Sequence, residues 1–106
     1  MKHGDVVLVI YPFTEQSGEK LRPAFVVLPE DDKGDMICAF ITTIGHPDGE
    51  YEIALEEGEG GLHRDSVVRL RKLMTVHESI VKGKIGSIKG ERLERIQEKI
   101  RDLFDF

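Results

Sequence analysis

Three runs of apolar residues dominate the first part of the chain, at positions 5–11, 23–28 and 36–42. In the first run, Val, Leu and Ile occupy both sets of alternating positions, which is typical of a strand that is buried on both faces. Pro12 and Pro29 follow the first two runs, and proline cannot donate a hydrogen bond to a strand ladder. The pattern therefore predicts three short, well-buried strands.

Weaker strand patterns follow in the second half of the chain. Residues 50–55 alternate polar and apolar side chains, as a half-exposed strand does, and residues 66–70 and 83–88 are the last two predicted strands. The polar, glycine-containing segments between strands predict loops and turns. They are residues 14–21, 30–35, 45–49 and 56–61.

The period of the hydrophobic pattern changes from Glu91 onwards. Apolar residues now recur at helical spacing with charged residues between them: Leu93, Ile96, Ile100, Leu103 and Phe104. One amphipathic helix therefore follows five or six short strands. This order predicts a mainly β (α+β) fold, a small antiparallel barrel with a C-terminal helix packed on it, formed by a single domain of residues 1–106.

Composition narrows the class of protein further. The chain has 106 residues and is 40% hydrophobic, which is enough for a core without disulfides. It contains no apolar run of membrane-spanning length and no leader pattern, so we expect a cytoplasmic protein with no membrane partner. The net charge is −5, but residues 1–61 carry −9 and residues 62–106 carry +4. This distribution allows a local basic surface on the second half of the chain.

Several common types of site are absent from the sequence. Residues 58–61 are rich in glycine but lack the Gly-Lys-Ser/Thr of a nucleotide-binding loop. The four histidines have neither zinc-ligand spacing nor a cysteine partner, and the single cysteine, Cys38, lies in an apolar run as a buried structural thiol does. We therefore expect no metal and no cofactor.

Three polar residues stand at positions that suit phosphate binding. Arg22 precedes Pro23 at the start of a strand, where its backbone is held extended. It is either a phosphate clamp or a surface arginine paired with Glu15 or Glu19. Thr42 lies where the third strand ends, and its hydroxyl suits either a phosphate or a turn. Arg69 points to the opposite side of its strand from Val68 and Leu70, as a solvent-facing position on the barrel also would.

Taken together, these residues resemble a known family. The chain is similar to the MazF/PemK/Kid toxins of bacterial type II toxin–antitoxin systems over nearly its whole length. The resemblance is carried by Gly4-Asp-Val-Val-Leu-Val, Tyr-Pro-Phe-Thr14, Arg22-Pro23-Ala, Ile41-Thr42-Thr43, Gly60-Gly-Leu, Asp65-Ser-Val-Val-Arg69, Met74-Thr75-Val and Lys84-Ile-Gly-Ser-Ile88.

The resemblance implies an SH3-like barrel, a homodimer and metal-independent cleavage of single-stranded mRNA. The ribose 2′-hydroxyl attacks the adjacent phosphate, and a cognate antitoxin protein lays an acidic tail across the RNA groove. Arg22 and Thr42 match the family's catalytic pair, and Arg69 matches a second clamp or acid. Thr43, His46 and Arg71 are expected to contact the substrate.

One position departs from the family pattern. Arg71 stands where one branch of the family has an acid–base aspartate, so the proton acceptor is unassigned. His46 is either that acceptor or an ordinary loop histidine. Two other functions stay open: a catalytically silent barrel that binds an antitoxin or nucleic acid, and a gyrase poison of the CcdB type. The second type has a key C-terminal tryptophan, whereas this chain has none.

Overall fold

The computed structural model of the protein describes residues 1–11, 20–43 and 46–106. Within them lie six strands, one α-helix and two short 3₁₀ turns, at Glu59–Gly61 and Glu78–Ile80. The strands are β1 (Asp5–Tyr11), β2 (Lys20–Leu28), β3 (Asp35–Thr42), β4 (Glu52–Leu55), β5 (Ser66–His77) and β6 (Val81–Ser87), and the helix is α1 (Gly90–Leu103).

The six strands form one antiparallel sheet in the order β4-β5-β3-β2-β1-β6. The turn that follows β4 packs against the opposite edge strand, because Gly61 and Gly86 bring two backbones into contact without side chains between them. A Cβ on Gly61 would overlap the carbonyl oxygen of Ile85. The sheet is thereby curled so that the turn after one edge strand contacts the other edge strand, and the predicted small antiparallel barrel with a C-terminal helix is confirmed.

Two apolar clusters occupy the two faces of the sheet. The first lies under α1 and includes the fully buried side chains of Phe25, Val68 and Ile96. Complete burial of a side chain of this kind stabilises the fold by about 1.5–3 kcal/mol. The second cluster, on the other face, includes Val9, Ala24 and Cys38. The buried, structural position predicted for the thiol is therefore confirmed, and burial raises the pKa of Cys38 to about 11.

Several element boundaries differ from the prediction. β2 begins at Lys20 rather than at Pro23, because its polar first residues still pair with β1 through their backbones. β5 continues to His77 although the predicted strand ends at residue 70. Residues 70–72 form a bulge there: Phe40 pairs with Arg69, yet the preceding Ala39 pairs with Leu73.

The helix boundaries are close to those predicted, with one difference at the C-terminal end. α1 begins at Gly90 and ends at Leu103, so Phe104 lies beyond the last helical residue. The side chain of Phe104 is 51% exposed rather than packed on the barrel. The apolar stripe that covers the core is therefore shorter than predicted: it is formed by Leu93, Ile96, Ile100 and Leu103.

Candidate functional site

The pairing of the strands places the predicted site residues on one face of the sheet. Ala24 of β2 lies opposite Phe40 of β3, and Phe40 lies opposite Arg69 of β5. Arg22 is two residues from Ala24, and Thr42 is two residues from Phe40. Because side chains two apart on a strand point to the same face, Arg22, Thr42 and Arg69 all project from the face of the second apolar cluster.

These side chains line a single cleft of about 190 Å³. Its described lining contains three cationic side chains, from Arg22, Arg69 and Lys72, and neither a carboxylate nor an imidazole. The remaining lining residues are Tyr11, Phe40, Ile41 and Thr42. The cleft, which we call the basic cleft, is therefore a local positive site on a chain whose net charge is −5.

Arg22 lies within β2, opposite Val9, rather than at the start of the strand. Its guanidinium carbon sits 5.0 Å from the centre of the Tyr11 ring, and this ring meets Phe40 edge-on at 5.3 Å. The Nε of Arg22 is buried and has no hydrogen-bond partner among the described residues. A buried donor of this kind is costly to leave unpaired.

Arg69 has a similar arrangement. Its Nε is also buried without a hydrogen-bond partner in the described part of the chain. Its Nη1 lies 3.6 Å from Oε2 of Glu52, which is the cross-strand neighbour of Arg69 on β4. The Arg69 side chain is 32% exposed, so the residue is half-buried.

The other predicted site residues lie around the basic cleft or away from it. Thr43 is exposed and lines a separate groove of about 240 Å³ beside Leu62 and Arg64. Arg71 is exposed and lines an adjoining cleft of about 170 Å³, which shares Arg69 and Lys72 with the basic cleft. His46 is exposed and is not among the described lining of either cleft. Glu15 and Glu19, the candidate partners of Arg22, lie outside the described residues.

Sequence analysis missed three residues of this region: Tyr11, Phe40 and Glu52. Tyr11 is the last residue of β1, and its position against Arg22 depends on how β1 pairs with β2. Phe40 and Glu52 become relevant only because both lie opposite Arg69 on neighbouring strands. An aromatic residue at the end of a strand next to a proline was the available signal for Tyr11.

Among the described residues, no group of three or more His, Cys, Asp or Glu side chains is arranged to hold a metal ion. In the same part of the chain, no helix is both long enough and apolar enough to cross a membrane.

Comparison with known proteins identifies related toxins. The family model described as PemK-like, MazF-like toxin of type II toxin–antitoxin system matches residues 2–104. A search of curated proteins finds no significant match.

Three solved structures share the fold at low sequence identity. The Mycobacterium tuberculosis toxin MazF-mt6 is 21% identical, with a TM-score of 0.75 over 96% of this chain and 97% of its own. MazE–MazF from Deinococcus radiodurans is 21% identical, with a TM-score of 0.74 over 97% and 94%. A mycobacterial endoribonuclease in complex with its cognate antitoxin is 12% identical, with a TM-score of 0.77 over 96% and 92%.

Proposed function

The chain belongs to the PemK-like, MazF-like toxin family of type II toxin–antitoxin systems, and on this premise we propose that it is an endoribonuclease that cleaves single-stranded mRNA in the basic cleft. One observation carries the proposal: Arg22 and Arg69 line the same small cleft, and the Nε of each is buried without a hydrogen-bond partner among the described residues. Two arginine side chains at one small cleft suit a phosphate group.

The proposed reaction is a transesterification within the RNA. The 2′-oxygen of one ribose forms a bond to the adjacent phosphorus, and the bond from phosphorus to the 5′-oxygen of the next nucleotide breaks. A proton leaves the 2′-hydroxyl and a proton reaches the departing 5′-oxygen. The products are a 2′,3′-cyclic phosphate and a 5′-hydroxyl, and negative charge builds up on the phosphate oxygens in the transition state.

The cleft residues have separate roles in this reaction. Arg22 and Arg69 bind the phosphate and stabilise its developing charge, since an arginine side chain stays protonated. Thr42 donates a hydrogen bond from its hydroxyl to a nonbridging phosphate oxygen. Tyr11 holds the Arg22 guanidinium by a cation–π contact at 5.0 Å, which limits the directions in which Arg22 can point.

The proton acceptor for the 2′-hydroxyl is the least defined part of the site. Arg71 cannot take this role, and the described lining of the basic cleft has neither a carboxylate nor an imidazole. His46 remains a candidate acceptor from the loop after β3. The same observation favours a second candidate function, in which the barrel binds RNA or an antitoxin without cleaving.

Two partners follow from the proposal. The solved relatives include a MazE–MazF assembly and an endoribonuclease bound to its cognate antitoxin. We propose that this chain likewise forms a homodimer and binds a cognate antitoxin, whose acidic segment occupies the basic cleft in place of RNA. The chain would act in the cytoplasm, on mRNA.

The test is a cleavage assay on a long unstructured RNA in EDTA, with purified protein free of antitoxin. Wild-type protein should give discrete cuts, and the double variant Arg22→Ala, Thr42→Ala should give none. The double variant Thr75→Ala, Arg101→Ala changes the same residue types at exposed positions outside the cleft and should cut normally. Cleavage retained by the first double variant would refute the assignment, and a folded wild-type protein that binds RNA without cutting would establish the second candidate.

A further inference from the structure

Among the described residues, Glu52 is the carboxylate that forms an ion pair with a cation of the basic cleft. Its Oε2 lies 3.6 Å from Nη1 of Arg69, and its side chain is only 19% exposed. Its other oxygen, Oε1, accepts a hydrogen bond of 2.8 Å from the backbone nitrogen of Asp48. Both carboxylate oxygens are thus held, one by the loop before β4 and the other by the arginine.

This arrangement gives Arg69 a fixed direction. The backbones of Glu52 and Arg69 are paired across β4 and β5, so the two side chains leave the sheet side by side. Arg69 lines both the basic cleft and the adjoining cleft, and Glu52, which lines only the adjoining cleft, holds its Nη1. The carboxylate therefore restricts how the guanidinium can turn towards a ligand in the basic cleft.

The same carboxylate also opposes the binding of a phosphate. An anion that contacts Arg69 would lie about 6–7 Å from the Glu52 carboxylate, a distance at which two like charges still repel. We propose that Glu52 is a positioning residue, which orients Arg69 for phosphate contact and competes with the RNA phosphate for that arginine. This inference rests on the proposed ribonuclease function. It predicts that Glu52 raises the kcat of cleavage and weakens the binding of RNA.

The two effects can be separated with two substitutions at the same position. Glu52→Gln keeps the shape but removes the charge, so it should lower KM by about 3- to 10-fold and lower kcat by about 10-fold. Glu52→Asp keeps the charge but is one methylene shorter, so it should lower kcat similarly and leave KM unchanged. Glu98→Gln removes one charge from an exposed ion pair on the helix, 3.8 Å from Arg95, and should change neither constant.

Steady-state cleavage of a short RNA in EDTA measures kcat and KM, and fluorescence anisotropy with a 2′-deoxy analogue, which cannot be cleaved by this route, measures binding alone. Thermal melting of each variant confirms that it folds. Tighter binding by Glu52→Gln alone, with kcat lowered in both Glu52 variants, supports the proposal. If wild-type protein cuts RNA and Glu52→Gln has the same kcat, KM and affinity for the 2′-deoxy analogue as Glu98→Gln, the proposal is refuted. If wild-type protein does not cut, the proposed function fails, and equal binding by the two Gln variants then refutes the competition as well.

Discussion

Replacing Arg22 with methionine should abolish RNA cleavage and leave the folded protein equally or more stable. Methionine keeps an apolar side chain out to the position of Nε, while removing the guanidinium and with it the buried Nε that has no described partner. Relieving a buried unsatisfied donor contributes about 1–3 kcal/mol to the free energy of unfolding. Loss of the cation–π contact with Tyr11 subtracts about 0.5–1 kcal/mol.

The net change is between zero and about 2.5 kcal/mol of added stability. For a domain of this size, 1 kcal/mol corresponds to a shift in melting temperature of about 4 °C, so Tm should rise by up to about 10 °C. Removing one donor that stabilises charge in a transition state costs about 10²–10³ in rate. The kcat/KM for RNA should therefore fall at least about 100-fold.

Differential scanning calorimetry and cleavage of a fluorogenic RNA measure the two effects on the same preparation. Arg101→Met is the matched control, because Arg101 is exposed on the last turn of α1; its activity should be normal and its stability within about 1 kcal/mol of wild type. If Arg22→Met lowers stability by more than about 1 kcal/mol, the arginine is a structural residue and the reasoning fails. Retention of cleavage would refute it equally.

Three further predictions concern the fold. Burial alone would raise the pKa of Asp5, but hydrogen bonds from the Lys2 backbone and Ser87 and the Lys84 ammonium hold it below its usual value. The stabilising contribution of the ionised Asp5 is therefore present above about pH 4 and is lost as pH falls through the lowered pKa. Asp5→Asn should lower the free energy of unfolding by about 1.5–3 kcal/mol at pH 7, measured by urea unfolding from pH 3 to 7. An unchanged urea midpoint at pH 7 would contradict this. Cys38 should resist iodoacetamide at pH 8 unless the protein is unfolded, because burial raises the pKa of its thiol to about 11; rapid labelling of the native protein would contradict this. Gly61→Ala should lower Tm sharply, because the added Cβ would overlap Ile85. Gly83→Ala is the control and should leave Tm unchanged, because a Cβ there meets nothing within 4 Å. Equal melting temperatures of the two variants would argue against the closed barrel.

Sequence periodicity predicted the elements that can be recognised from the pattern of their own side chains. β1 is predicted correctly because β-branched residues fill both faces, and α1 because its apolar residues recur at helical spacing. The extent of β5 could not be obtained in this way. Its exposed Arg71 and Lys72 resemble the end of a strand, and the bulge that lets the strand continue is a property of its pairing with β3.

The candidate site shows the same division. Arg22, Thr42 and Arg69 were singled out by their positions on the strands and given roles by a family resemblance, and the structure brings all three to the same cleft. Residues that matter through cross-strand pairing were not found, since Glu52 and Arg69 are far apart in sequence and meet only in the register of β4 and β5. A single sequence does not specify register, which depends on turns and bulges along several strands.

The most direct test of the central claim uses two RNA oligonucleotides that differ by a single oxygen. Wild-type protein in EDTA should cut the all-ribose oligonucleotide at one site and leave a 2′,3′-cyclic phosphate, identified by mass spectrometry. A 2′-deoxy substitution at the nucleotide on the 5′ side of that site should abolish the cut, because it removes the attacking group. Cleavage of the deoxy-substituted strand, or a product that ends in a 3′-hydroxyl, would contradict the account.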